Sequence, residues 1–90
     1  MLQLPQVIGH RGAMAYAPEN TLASFREARR RGATWVEIDV KLTADSVPIL
    51  MHDPSLQRTM GIDRLVAATP RAALPEAVPK IGRASCRERV

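Results

Sequence analysis

Five side chains carry the chemistry this sequence could do. Glu37 and Asp39 stand two residues apart in the stretch WVEIDVKLTADSVPILMHD, from Trp35 to Asp53, and His52 stands near its end. On a strand, residues i and i+2 project from one face, so the two carboxylates would lie side by side. Carboxylates about 3–4 Å apart repel unless a proton or cation lies between them, so the pair suits a divalent metal. Upstream, His10-Arg11-Gly12 adds an imidazole and a guanidinium. Arginine offers a planar fork to phosphate oxygens and histidine moves a proton near neutral pH, so this pair suits anion chemistry. Plainer descriptions fit the same residues. Glu, Asp and Lys on one strand face commonly form the solvated side of an antiparallel sheet, and His-Arg or His-Asp at a strand end is commonly a polar turn.

The elements that must position these groups follow from spacing. Val36, Ile38, Val40 and Leu42 alternate with Glu37, Asp39 and Lys41, which predicts one strand with one apolar face. Asp45-Ser46 is turn chemistry, Pro48 can open a strand, and Val47 to Met51 is a second apolar run. Folding the two runs back about Asp45-Ser46 brings His52 close to Asp39. Gln6-Val7-Ile8-Gly9 predicts a short buried strand, with Gly9 and Gly12 allowing sharp turns beside His10 and Arg11. Ala13 to Ala17 follows as a loop with one aromatic, Tyr16.

Pro18-Glu19-Asn20-Thr21 predicts a helix start with Asn20 as N-cap, after which Leu22, Phe25 and Ala28 form an apolar stripe. Arg29, Arg30 and Arg31 gather where the helix dipole favours cations, and Gly32 suits the residue after the cap. The arginine cluster is read as a solvated helix end. Glu19 is left without a role, either beside the cap or leaning into the site. Gly61 to Pro79, rich in Ala and Pro, predicts loop with at most a helical piece around Arg71 to Leu74. Strand, helix, strand with polar residues at the strand ends predicts the α/β class, opening a parallel sheet or barrel.

Composition narrows the function classes. The chain has 90 residues, 46% hydrophobic, enough for a small globular domain. Aromatics are only 3%, which argues against base-stacking nucleic-acid surfaces, and no basic stripe interrupts the interleaved charges. Of the net charge of +4, half comes from Ile81 to Val90. One cysteine, Cys86, excludes an internal disulfide. No secretory signal or bilayer-length apolar run is visible, so a cytoplasmic location is the expectation.

The motifs resemble those of a known family. His10-Arg11-Gly12, Pro18-Glu19-Asn20-Thr21, Glu37-Ile38-Asp39-Val40, and His52-Asp53 followed by Leu56 and Arg58-Thr59 occur in this order and spacing in the glycerophosphodiester phosphodiesterase family. The resemblance runs from about Val7 to Thr59 and more loosely to Pro79. It implies a TIM-type (β/α)8 barrel of which residues 1–79 are the N-terminal portion. It also implies hydrolysis of glycerophosphodiesters, small-molecule substrates of lipid metabolism, to an alcohol and sn-glycerol 3-phosphate. A divalent cation, Ca2+ or Mg2+, is implied as cofactor. Position by position, His10 and His52 match an acid/base pair, Glu37 and Asp39 match metal carboxylates, and Arg11 matches a phosphate contact. First attack by the substrate's own glycerol hydroxyl and direct attack by water both fit, and no oligomeric state is implied.

Two departures stand out. The family usually has Gly where this chain has Ser46, which is tolerable if the turn needs no positive φ. The family's third metal carboxylate lies on a later strand and has no match here, so the chain by itself is expected to be inactive. The end of the chain, IGRASCRERV from Ile81 to Val90, has neither helical nor strand periodicity. It resembles the in-frame translation of a short-read sequencing adapter, so residues 80–90 are expected to be a non-native tail. Three other readings remain: a phospholipase of the same superfamily, a non-catalytic module holding an anion through His10, Arg11 and Arg58, and a small basic nucleic-acid-binding protein. The last loses its main support once the tail is discounted.

Overall fold

The structure, a computed structural model, describes residues 3–81. The expectation of a non-native tail therefore falls almost wholly outside the described residues. The chain divides after Ile38 into two compact units.

In the first unit, β1 (Ile8–His10) pairs in parallel with β2 (Trp35–Glu37), with His10 opposite Glu37. A parallel pair needs a crossover, and α1 (Leu22–Arg30) supplies it. The expected stripe holds, since Phe25 and Ala28 are buried. Its cap is one residue later than Asn20. Thr21 is the N-cap: its hydroxyl accepts from the Ser24 amide while the Ser24 hydroxyl accepts from the Thr21 amide, a capping box. Asn20 instead takes a left-handed conformation, φ 55°, and is buried, its amide donating to the Arg11 carbonyl. Asn is among the few residues that tolerate this geometry. The helix ends as expected at Gly32, φ 96°: Gly32 N–H bonds Arg29 O and Ala33 N–H bonds Ala28 O, a Schellman closure.

The end of β1 lies so close to α1 that only small residues fit. A Cβ on Gly9 would stand 2.6 Å from the Gly12 carbonyl oxygen, and one on Gly12 would stand 2.7 Å from Ser24 Cβ. Ser24, fully buried, donates its hydroxyl to the carbonyls of Arg11 and Thr21. Helix and loop are thereby tied together behind His10 and Arg11.

The single strand expected from Val36 to Leu42 is interrupted. Ile38 and Asp39 have no regular structure between β2 and β3 (Val40–Leu42). The reason is the partners. β1 ends at His10, where the chain turns away through Arg11 at φ 51° and Gly12 at φ 84°, so β2 has no ladder beyond Glu37. β3 pairs differently, antiparallel with β4 (Pro48–Leu50), in the register Val40 to Leu50. The apolar face is also not buried: Val36, Ile38, Val40 and Leu42 are 40–55% exposed. Among the described residues no second layer covers it.

The second unit is built on the β3–β4 hairpin, which folds back about Asp45-Ser46 as expected. The Thr43 amide bonds the Val47 carbonyl, and the Thr43 hydroxyl both donates to Asp45 Oδ1 at 2.6 Å and accepts from the Val47 amide. The turn does require a positive φ: Ser46 sits at 62°, where the family's glycine would be unstrained. Asp45 is held below the usual carboxylate range, chiefly by the Thr43 hydroxyl and then by the Arg71 amide.

The Ala/Pro-rich segment is more than a loop. After α2 (Gln57–Met60), 3-10 turns at Val66–Ala68 and Arg71–Ala73 carry Val66, Leu74 and Val78 into a core with Ile49, Met51 and Leu56. Residues 79–81 then lie along the other edge of β4, with Leu50 N–H bonded to Pro79 O and Ile81 N–H to Pro48 O. No described helix is long and apolar enough to cross a membrane.

Candidate active site

In the first unit, the parallel register places His10 and Glu37 at the C-terminal ends of neighbouring strands. That is where α/β sheets and barrels collect their chemistry, because the loops leave there and side chains can converge. Glu37 Oε1 lies 3.9 Å from His10 Nε2 and accepts from the backbone amide of Arg11 at 3.2 Å. The left-handed turn at Arg11 is what aims that amide back across β2. Both His10 and Glu37 remain accessible, with side chains 63% and 44% exposed.

The Arg11 side chain runs the other way. Its guanidinium donates to Glu19 Oε2 at 3.2 Å, and both side chains are largely buried. Glu19 therefore does lean into this site, beside the cap rather than within it. His10, Arg11, Glu19 and Glu37 thus form one cluster.

The arginines closing α1 do not join it. Glu27 binds Arg30 and Arg31, which lower its carboxyl to about pKa 2, the Arg30 hydrogen bond contributing most. Arg31 also stacks on Tyr16, 3.4 Å from the ring centroid. The solvated helix end is the right description, with Tyr16 as an added partner.

In the second unit, hairpin pairing runs one residue past β3. Met51 N–H donates to the Asp39 carbonyl at 2.9 Å, so Asp39 stands across the ladder from the residue preceding His52. This is the proximity expected from folding the two runs together. His52 and Asp53 then form a pair, with Nδ1 2.7 Å from Oδ1. Arg58 grips the same carboxylate with two bonds, Nε to Oδ2 at 2.8 Å and Nη2 to Oδ1 at 3.0 Å. Asp53 is consequently held far below its ordinary pKa, by Arg58 first and His52 second.

His10, Arg11 and Glu37 thus belong to the first unit and Asp39 and His52 to the second. Sequence reasoning missed the pairing of Asp53 with Arg58, although the motif string contains both; the available signal was an acid adjacent to a histidine with an arginine five residues further on.

Glu37 and Asp39 offer hard oxygen donors of the type calcium and magnesium prefer. Among the described residues, however, no three His, Cys, Asp or Glu side chains form a metal-holding group. Each unit contributes one such carboxylate, right in kind but short of the roughly six to eight oxygens that calcium takes.

Solved structures share this fold. An Oleispira antarctica phosphodiesterase in complex with the product sn-glycerol-3-phosphate superposes with a TM-score of 0.81 at 43% identity, over 87% of this chain and 37% of that one. A glycerophosphodiester phosphodiesterase from Thermotoga maritima gives 0.70 at 35% identity, over 79% and 32%. The fold is thus an α/β one, the N-terminal portion of a TIM-type barrel with polar side chains at its strand ends. Residues 10–89 match the model of the glycerophosphoryl diester phosphodiesterase family, and the chain belongs to that family. Glycerophosphodiester phosphodiesterase 1 of Rattus norvegicus is 56% identical over 63 residues, and that of Homo sapiens 51% over 63. The match covers 69% of this chain and 19% of each relative, so the chain spans about a fifth of the curated proteins it resembles.

Proposed function

We propose that this chain is part of an enzyme that hydrolyses glycerophosphodiesters to an alcohol and sn-glycerol 3-phosphate, with a divalent cation, Ca2+ or Mg2+, as cofactor. The observation that carries the reading is the cluster of His10, Arg11, Glu19 and Glu37 at the ends of two parallel strands. The product held by the Oleispira antarctica relative supports the substrate class.

Arg11 contacts the phosphate, its position set by Glu19. Of His10 and His52, one accepts the proton of the attacking hydroxyl and the other gives one to the leaving alcohol oxygen. Glu37 and Asp39 would hold the cation, which when bound polarises the phosphoryl oxygens. The 90-residue chain alone is inactive in this reading, because its strand faces are exposed and its cation donors too few.

The experiment measures sn-glycerol 3-phosphate released from glycerophosphocholine with added Ca2+ or Mg2+, by the full-length protein carrying this segment and by residues 1–90. Full-length protein turns over; His10→Ala and His52→Ala each lower kcat by about two to four orders of magnitude; residues 1–90 release nothing. A variant keeping wild-type turnover loses its assigned role, and turnover by residues 1–90 overturns the inactivity of the chain.

A further inference from the structure

We propose that Asp53 and Arg58 are positioning residues for His52: Asp53 holds the Nδ1–H of the ring so that Nε2 is the atom that exchanges a proton, and Arg58 holds Asp53. The proposal rests on the reading of His52 as an acid or base.

An ionised carboxylate can only accept hydrogen bonds. At 2.7 Å from Asp53 Oδ1, His52 Nδ1 must therefore carry the proton, and the neutral ring presents its lone pair at Nε2. When Nε2 takes a proton the ring becomes an imidazolium whose Nδ1–H still points at Asp53. When Nε2 returns that proton, the starting tautomer is restored. No proton moves to Asp53, because Arg58 keeps its carboxylate ionised.

The geometry is that of a built device rather than a chance surface pair. Asp53 has two oxygens, and Arg58 binds both through different nitrogens, the fork that fixes a carboxylate in plane as well as in place. A lysine could supply the charge without the plane. The arch carrying His52 and Asp53 is fastened at both ends. Met51 and Leu56, which flank it, are core residues at 4% and 1% exposure. Pro54 restricts the backbone of Asp53 to extended conformations, and its carbonyl accepts from the Val66 amide at 2.9 Å. Arg58 stands in α2, and the neighbouring Thr59 hydroxyl contacts Met51 sulfur at 3.5 Å. The ring itself stays accessible, its side chain 43% exposed, as a proton-exchanging group must.

The test uses full-length protein carrying this segment. Nitrogen NMR of the His52 ring reads the tautomer directly, and steady-state kinetics on glycerophosphocholine read its consequence. Wild type should show the Nδ1–H form. Asp53→Asn, whose amide can donate to Nδ1, should shift the ring toward Nε2–H and lower kcat by about a hundredfold with KM nearly unchanged. Arg58→Lys should lower kcat by a smaller factor while keeping the Nδ1–H form. His52→Ala separates the levels of the argument. If it abolishes turnover while Asp53→Asn retains it, the positioning roles fail and the reading of His52 stands. If His52→Ala itself retains turnover, both fail. A wild-type ring found in the Nε2–H form overturns the proposal even if Asp53→Asn does not fold.

Discussion

Arg11 and Glu19 form an ion pair at 3.2 Å in which the two side chains are only 14% and 12% exposed. The arginine sits at a left-handed φ of 51°, with its amide turned to Glu37 and its guanidinium to Glu19. Glu19→Ala takes an acceptor from a largely buried cation, so stability should fall by about 1–3 kcal/mol in urea unfolding of the full-length protein. KM for glycerophosphocholine should rise more than kcat falls, since Arg11 would lose its aim. Unchanged stability and KM together would show that the pair does nothing.

Glu37→Gln and Asp39→Asn keep side-chain size and remove one charge each from the carboxylates proposed to hold the cation. Cation affinity should fall with activity in both, and excess metal should restore part of the rate. Metal titration by calorimetry checks this. Unchanged affinity in both variants would return these carboxylates to the role of a solvated strand face.

Ser46 occupies φ 62° in a turn where glycine is at ease. Left-handed backbone costs a non-glycine residue roughly 1–2 kcal/mol, while glycine gives back about 0.5–1 kcal/mol of unfolded-state entropy. Ser46→Gly should therefore raise stability by about 0.5–1 kcal/mol by this difference. Ser46→Val should lower it, because a β-branched side chain fits this φ worst. Denaturant midpoints of the two variants moving in the same direction would contradict the strain argument.

Glu27 gives a pH dependence whose sign follows from its pairing. Arg30, then Arg31, depress its carboxyl from 4.5 to about 2 in the folded chain. Protons therefore bind the unfolded chain first on acidification. The contribution is whole above about pH 4.5 and is lost as pH falls through about 2. Being exposed, it is small. Glu27→Gln should flatten the acid limb of the stability curve over that window, and superimposable curves would mean the pairs contribute nothing.

The local pieces of this fold were legible because local physics sets them. The helix stripe of Phe25 and Ala28, the Gly32 terminator and the hairpin about Asp45-Ser46 each depend on residues a few positions apart. The motif residues His10, Arg11, Glu37, Asp39 and His52 were recognisable by order and spacing, and so was the family.

Misses came where a distant partner decides. Asn20 looked like a cap until the Arg11 carbonyl claimed its amide and a capping box formed one residue later. Val36 to Leu42 has the pattern of one strand, yet β1 stops at Glu37's level and the hairpin ladder reaches back from Val40 only as far as the Asp39 carbonyl, so the strand is interrupted at Ile38 and Asp39. Val66, Leu74 and Val78 follow no period, so only the folded chain shows them filling one core. The sequence by itself determined which side chains can do chemistry and which segments turn or coil, because those follow from residue type and near neighbours. Tertiary structure alone decided that Glu19 pairs with Arg11 and that Arg58 grips the Asp53 carboxylate beside His52, because a side chain's hydrogen-bond partner depends on which backbone the fold brings within about 3 Å of it.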